Sequence, residues 1–418
     1  MIKKLKKHYL WLYYAFVFLQ SLSFFSAVLV PFFTQWGGIS LFQVQILQSW
    51  FLLWFFLLEV PTGAVADYLG RKHSLVLGAT TLIFATFIYG SIPNFKIFLL
   101  GELLFALGGA LLSGADEALL YDTLAEMGRE KESQKFFGRT QSIHLAGMLL
   151  AAPIGGLIAV KFGLNAPMQF TAISYIVAVL IGLTLHEPKR FEKELESKRY
   201  WQIVKEGFAF FFNHQQLRAL AVNAIVVSIS AYFVIWFYQP LLEKVGFPIK
   251  YFGLVHSFMV LSEIAVSAGF EKLEKLSGSQ ENYIKVSAVL TAIPFLLVAV
   301  FPNLATIFIF VSLAGGFGLT RLKYISSFAN EFIPSGQRAT VLSSISMFRR
   351  FALATFNPLA GFLADRSLAV ALFGLGILPL TTLAFPWLKK EKLISIVKAY
   401  NKKYNKQARG ETKKEKLN

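Results

Sequence analysis

The residues of this sequence best able to do chemistry are charged side chains lodged in long apolar stretches. Glu102, Asp116, Glu117 and Asp122 fall in one such stretch, Arg321 and Lys323 in a second, Arg349 and Arg350 in a third. Glu59 ends another, and Glu263 interrupts one more. A charge at the centre of a membrane helix costs about 2.5–3.5 kcal/mol on insertion scales, so each needs a partner, a wet path or a task. Buried carboxylates can carry protons, guanidiniums read anionic groups, and opposite charges can lock two helices together. Asp116, Glu117, Asp122, Arg321 and Lys323 are therefore candidate proton-coupling or gate charges; the plainer reading is that they snorkel to the interface. Arg349 and Arg350 lie too deep to snorkel easily. Adjacent helical residues point ~100° apart, so one should face the interior while the other pairs with a neighbouring helix. His144 reads as a satisfied interior histidine rather than a proton relay.

The composition says what must hold these groups. The chain has 418 residues, 55% hydrophobic and 16% charged, against about 25% charged in soluble domains. This is an integral membrane protein. It has no cysteine, which excludes disulfides and thiol chemistry. Its histidines show no metal-ligand spacing, and no glycine-rich phosphate loop follows a strand-like segment, so no metal, cofactor or enzymatic activity is expected. The net charge of +17 resides in loops and tail, which argues for membrane topology and against nucleic acid. The first apolar run is too long for a cleavable signal.

Twelve spans follow, at roughly 9–33, 42–66, 74–92, 96–120, 138–160, 166–185, 217–242, 250–271, 283–301, 303–328, 339–364 and 368–388. Basic residues crowd the even-numbered turns (Arg71, Lys72, Arg129, Lys131, Lys135, Arg139, Lys272, Lys275, Lys285) and thin out in the odd-numbered ones. Both termini are therefore expected in the cytoplasm of a multi-pass cell-membrane protein. Residues 186–216 form the one sizeable polar insertion, so six spans (1–185) precede a cytoplasmic linker with an amphipathic helix, and six (217–388) follow it. The basic tail, 389–418, should lie partly on anionic inner-leaflet lipid. The halves also repeat: Ala152-Pro153-Ile-Gly-Gly156 matches Asn357-Pro358-Leu-Ala-Gly361, and Gly108-Gly109 matches Gly315-Gly316. That arrangement implies two bundles related by an axis along the membrane normal.

Between the second and third spans runs Glu59-Val-Pro-Thr-Gly63-Ala-Val-Ala-Asp67-Tyr-Leu-Gly70-Arg71-Lys72. Gly63 should let the second span lie close against a neighbour, and Gly70 should permit the chain reversal. The pattern resembles the loop signature of the major facilitator superfamily, Gly-x-x-x-Asp-x-x-Gly-Arg-Lys/Arg, and the likeness extends over residues 9–388. It implies an all-α fold of two pseudo-symmetric six-helix bundles, with spans 1, 4, 7 and 10 lining a central cavity. Asp67 and Arg71 would latch the loop against the other half. Asp116 would face Lys323 as a conformational gate, and Gln20, Asn223, Trp236, Arg349 and Arg350 would line the substrate cavity, with Ser228 and Gln239 as further polar handles. The segment from Ser113 to Asp122 is similar to a drug-efflux-like prokaryotic branch. Three departures weaken that assignment: Glu102 stands where antiporters carry an arginine motif, the Ala152-Pro153 motif is one residue short, and Leu273 replaces the aspartate of the second loop copy. The expectation is a secondary transporter, a monomer that exports amphipathic organic compounds in exchange for protons. The alternative is a carrier of a small organic anion, and the remote one a non-transporting scaffold on the same fold.

Overall fold

The structure, a computed structural model, describes residues 2–188, 215–330 and 338–384. The long helical segments among them are α1 (His8–Trp36), α2 (Leu41–Leu69), α3 (Arg71–Tyr89), α4 (Phe95–Glu126), α5 (Glu130–Phe162), α6 (Ala166–Thr184), α7 (Arg218–Lys244), α8 (Ile249–Ala268), α9 (Gln280–Val300), α10 (Leu304–Ser327), α11 (Arg338–Arg366) and α12 (Leu368–Ala384), with a short helix, Phe270–Leu276, between α8 and α9. Among the described residues the first ten are long and apolar enough to cross a membrane. α11 is 29 residues long but carries Arg349 and Arg350 mid-helix, and α12 is shorter. The linker helix and the tail lie outside the described residues.

Helices α1–α6 pack on one another, as do α7–α12, and two seams join the halves: α2 against α11, and α5 against α8. Without a hydrophobic drive between helices in lipid, close approach depends on small residues, and each seam has them. A Cβ at Gly361 would stand 2.8 Å from the Phe42 Cα; one at Gly156 would stand 2.8 Å from the Lys250 carbonyl oxygen. The repeated segments 152–156 and 357–361 thus meet the starts of α8 and α2 in equivalent ways. Two turns on, Ser49 donates to the Ala354 carbonyl at 2.7 Å, and Ser257 to the Leu149 carbonyl at 2.8 Å. These bonds occupy equivalent positions of the two repeats. Likewise Gly109 faces Phe55 of α2 while Gly316 faces Ser262 and Val266 of α8.

The hydrogen bonds that join described residues of the two halves cluster toward the face holding the odd-numbered turns. There α1 breaks after Gln20 and continues as short 3-10 and π turns. The backbone groups freed by the break need partners. Phe24 N–H donates to Thr171 Oγ1 (3.1 Å), Val30 N–H donates to Gln239 Oε1 (2.8 Å), and Gln239 Nε2 donates to the Ser26 carbonyl (2.9 Å). Gln239, expected in the cavity, instead closes this face. The Asp365 carboxylate accepts from Leu41 N–H and Phe42 N–H, the first two donors of α2, and Gln35 reaches Glu243.

Candidate functional site

On the opposite face the loop residues separate into two jobs. Gly70 has φ +111°, a conformation glycine adopts freely, and its missing Cβ makes room for Glu187. The Glu187 carboxylate accepts from Arg71 N–H (2.9 Å) and Lys72 N–H (2.7 Å), capping α3. The Arg71 guanidinium turns inward to Asp122 and donates to the Ala118 carbonyl at 2.6 Å, tying α3 to α4 within its own half. Asp67 is exposed at the end of α2. Gly63 does not serve a close approach: among the described residues nothing lies within 4 Å of where its Cβ would be, because it sits on an exposed face of α2.

The two charge groups expected to face each other do not meet in this conformation. Gly114, at φ +76°, interrupts α4, and Asp116 and Glu117 open the helical turn that follows, where helix-terminal N–H groups favour acids. Glu117 N–H donates to the Asp116 carboxylate at 2.7 Å. Arg321 is fully buried within its own half. It donates to the Ile284 carbonyl (2.5 Å), to Ser287 Oγ and to Asn223 Oδ1 (2.5 Å), binding α10 to α9 and α7. Asn223 is therefore bundle structure, not cavity lining. Lys323, two residues on, lies exposed and interacts electrostatically with His144 of α5 and Glu263 of α8. Residues two apart project ~200° apart on a helix, so Arg321 and Lys323 must part company.

The polar residues that do converge lie where α2, α4, α7 and α11 meet. Arg349 Nε donates to Ser228 Oγ at 3.2 Å, and Arg349 and Glu102 both act on the Tyr232 hydroxyl. The Glu102 carboxylate is buried and accepts from Gln48 Nε2 and Tyr89 Oη, each at 2.8 Å. Beside Tyr232 stand Trp236 and Asn357. Trp236 Nε1 and the Asn357 amide are buried close to the Tyr232 hydroxyl but outside normal hydrogen-bond geometry, and both amide atoms of Gln45 are buried with no hydrogen-bond partner. Unmet polar groups of this kind are costly and uncommon in native interiors, and they concentrate here. Gln20 of α1, expected in the cavity, also has a buried Nε2 with no partner, but no contact ties it to this cluster. Phe25, Phe105 and Leu52 line the same core with apolar surface. Arg350 points elsewhere: it pairs with Glu59 at 2.7 Å and lies over the Phe55 ring.

Several of these residues escaped the sequence reading. Gln45, Gln48 and Ser49 recur at helical spacing on α2, which could have marked a polar stripe facing the interior. Asn357 had no such signal, since it is a single polar residue beside a proline, whereas Tyr232 belongs to the aromatic run of the seventh span that the sequence offers as a cavity wall. Glu102 was noted as a misplaced charge but not as a cluster member.

A family model described as Major Facilitator Superfamily matches residues 10–356. An uncharacterized MFS-type transporter of Methanocaldococcus jannaschii is 23% identical over 256 residues, 60% of this chain and 64% of the relative. The quinolone resistance protein NorA of Staphylococcus aureus is 24% identical over 150 residues, 34% of this chain and 37% of that protein. The matches thus span less than two thirds of either relative. A crystal structure of a variant of the nucleoside transporter NupG has the same fold, with TM-score 0.79 at 15% identity, covering 90% of this chain and 99% of that one.

Proposed function

The chain belongs to the Major Facilitator Superfamily, and on that premise we propose that this multi-pass membrane transporter carries amphipathic organic solutes bearing an anionic group. It moves them by alternating access of two six-helix bundles, with both termini in the cytoplasm and proton movement as the driving force. The carrying observation is Arg349. Its guanidinium lies in the polar cluster between the halves, bonded to a neutral serine, whereas Arg350 is matched by Glu59 and Arg321 by three oxygen acceptors. A guanidinium so placed reads carboxylates well, and Phe25, Phe105 and Trp236 suit an apolar or aromatic body.

A second reading is proton-exchange export of amphipathic compounds of either charge, which the likeness to a quinolone resistance protein favours. Thermal stabilisation of the purified protein by aromatic carboxylates, lipophilic cations and sugars separates the two. Carboxylates should raise the melting temperature of the wild type and of Arg350→Gln, and leave Arg349→Gln unmoved. Equal stabilisation of all three proteins by cations, with none by carboxylates, would leave the second reading standing alone.

A further inference from the structure

A chain of hydrogen bonds runs from the contact between the halves to a buried histidine. Its first link is the Gln239 amide of α7, whose Oε1 accepts from Val30 N–H at 2.8 Å and whose Nε2 donates to the Ser26 carbonyl at 2.9 Å, both on the broken part of α1. A backbone N–H can only donate and a carbonyl can only accept, so α1 fixes which way the amide points. The other Nε2 proton therefore goes to Tyr238 Oη at 2.7 Å. Tyr238 in turn has one proton to give, and its acceptor is His256 Nδ1 of α8 at 3.2 Å. The imidazole that ends the chain is thus neutral, with its proton on Nε2. That Nε2 is buried and has no acceptor among the described residues. The repeat sharpens the contrast: pairing Ser49 with Ser257 pairs Gln48 with His256, and Gln48 Nε2 has the Glu102 carboxylate at 2.8 Å.

We infer that His256 is a proton-binding site tied to the odd-turn face, neutral while that face is closed and protonated when it opens. The inference rests on the alternating access proposed above and adds to it a residue that takes a proton in one state only. A second proton on the ring would sit on Nδ1, opposite the proton that Tyr238 already points there. Tyr238 could turn its O–H away only into a dry interior, where a donor without an acceptor is costly. The imidazolium would also hold a charge with no counter-ion. Tyr238 is the titratable group bonded to it, and no charged side chain of α1, α5, α7 or α10 acts on it among the described residues. From the other half, α1 and α5 cover α8. Their departure breaks the Gln239 links, lets water reach His256 and frees the hydroxyl to turn. Opening therefore takes up a proton and closing expels it, so acid favours the open face. With both termini in the cytoplasm, as proposed, that face looks outward, and external acid holds the transporter open to the outside.

The test is the distance between spin labels on the odd-face ends of α1 and α7 in the full-length protein, at about pH 8 and about pH 5.5. The chain has no cysteine, so labels go on without background. One hydrated imidazole of ordinary affinity raises the open-to-closed ratio of the wild type roughly tenfold over that interval. His256→Gln, or His256→Asn should the longer side chain not fit, keeps an acceptor for Tyr238 and takes no proton; its distances should be the same at both pH values. Gln239→Leu removes the bonds to α1 and should show a larger share of long distances than the wild type at about pH 8. Nitrogen-15 labelling of histidine gives a second reading: the His256 ring, assigned as the signal lost in the variant, should carry its one proton on Nε2 at about pH 8. An acid response that survives in the His256 variant, or a wild type that ignores pH while Gln239→Leu opens, would overturn the proton site and leave alternating access standing. A ring whose one proton is on Nδ1 would overturn the direction of the chain and the site with it. Short distances in all three proteins at both pH values would mean that this face does not open, and alternating access itself would fall.

Discussion

A guanidinium can be buried without a carboxylate when enough oxygen atoms replace its water, and Arg321 is built that way. It is 2% exposed, and its acceptors are Asn223 of α7 and, from α9, the Ser287 hydroxyl and the Ile284 carbonyl. Removing the guanidinium takes three helices' shared donor away and leaves Asn223 without a partner in a dry interior. Arg321→Met should therefore lower the stability of the second half by about 1–3 kcal/mol, the cost of leaving buried neutral acceptors unsatisfied. Arg321→Lys should recover part of it, since an ammonium reaches fewer of the acceptors at once. Thermal unfolding of the purified variants measures this; an unchanged melting temperature for Arg321→Met would show that water already fills the site. Lys323→Gln, by contrast, should leave the melting temperature near the wild-type value, because Lys323 is exposed.

Helix ends carry the next level of control. The first N–H groups of α2 have no partner within the helix, and Ser40 satisfies just one of them, through its contact with Gln43 N–H. The pair from Leu41 and Phe42 goes across the seam to Asp365. This carboxylate therefore stabilises α2 only while the odd-turn face is closed. Asp365→Asn should weaken that closure by about 0.5–2 kcal/mol, a cap's worth. Spin labels on the odd-face ends of α2 and α11 should then report a larger share of long distances; identical distributions would mean the cap is redundant. The sequence could not show this contact, because a carboxylate at one helix end is matched to another helix's N–H groups by packing alone. What it did show was pattern along the chain: the apolar segments, the repeated Ala152-Pro153 and Asn357-Pro358 turns, and the loop residues from Gly63 to Lys72. Spacing fixes depth along a helix and leaves the face open. Hence Asn223 and Gln239, at sensible depths for a cavity, turned into bundle and gate, and Asp116 and Lys323 took separate neighbours. The break in α1 was equally hidden, since Ser21-Leu22-Ser23 has no proline or glycine to announce it.

For the whole molecule, the two seams share a glycine on the α5 and α11 side, and the α5–α8 seam adds a second on its other partner. At the α2–α11 seam the small residue is Gly361 on α11, against Gln45 of α2. At the α5–α8 seam the position of α8 equivalent to Gln45 is itself glycine: a Cβ on Gly253 would stand 2.0 Å from the Ala152 carbonyl oxygen and 2.4 Å from its carbon. Backbone atoms cannot swing aside as a flexible side chain can, so Gly253→Ala forces α8 away from α5 wherever this face is closed. Overpacking of this kind costs about 1–3 kcal/mol. Transporters interconvert between states separated by a few kcal/mol, so the cost is enough to move the population rather than unfold the chain. Opening of the odd-turn face, which the proposed alternating access requires, would part the two helices at this level and give the methyl group room. Gly253→Ala should therefore favour that state, slow any cycle that must close the face, and leave the melting temperature close to wild type. Gly361→Ala should act in the same direction at the other seam, and the double variant should sum the two shifts, because the seams lie on opposite sides of the molecule. Label pairs across the odd-face ends of α5 and α8 give the direct measurement. If Gly253→Ala keeps the wild-type distances while losing several degrees of thermal stability, the closed seam is a fixed part of the fold and does not open in the transport cycle.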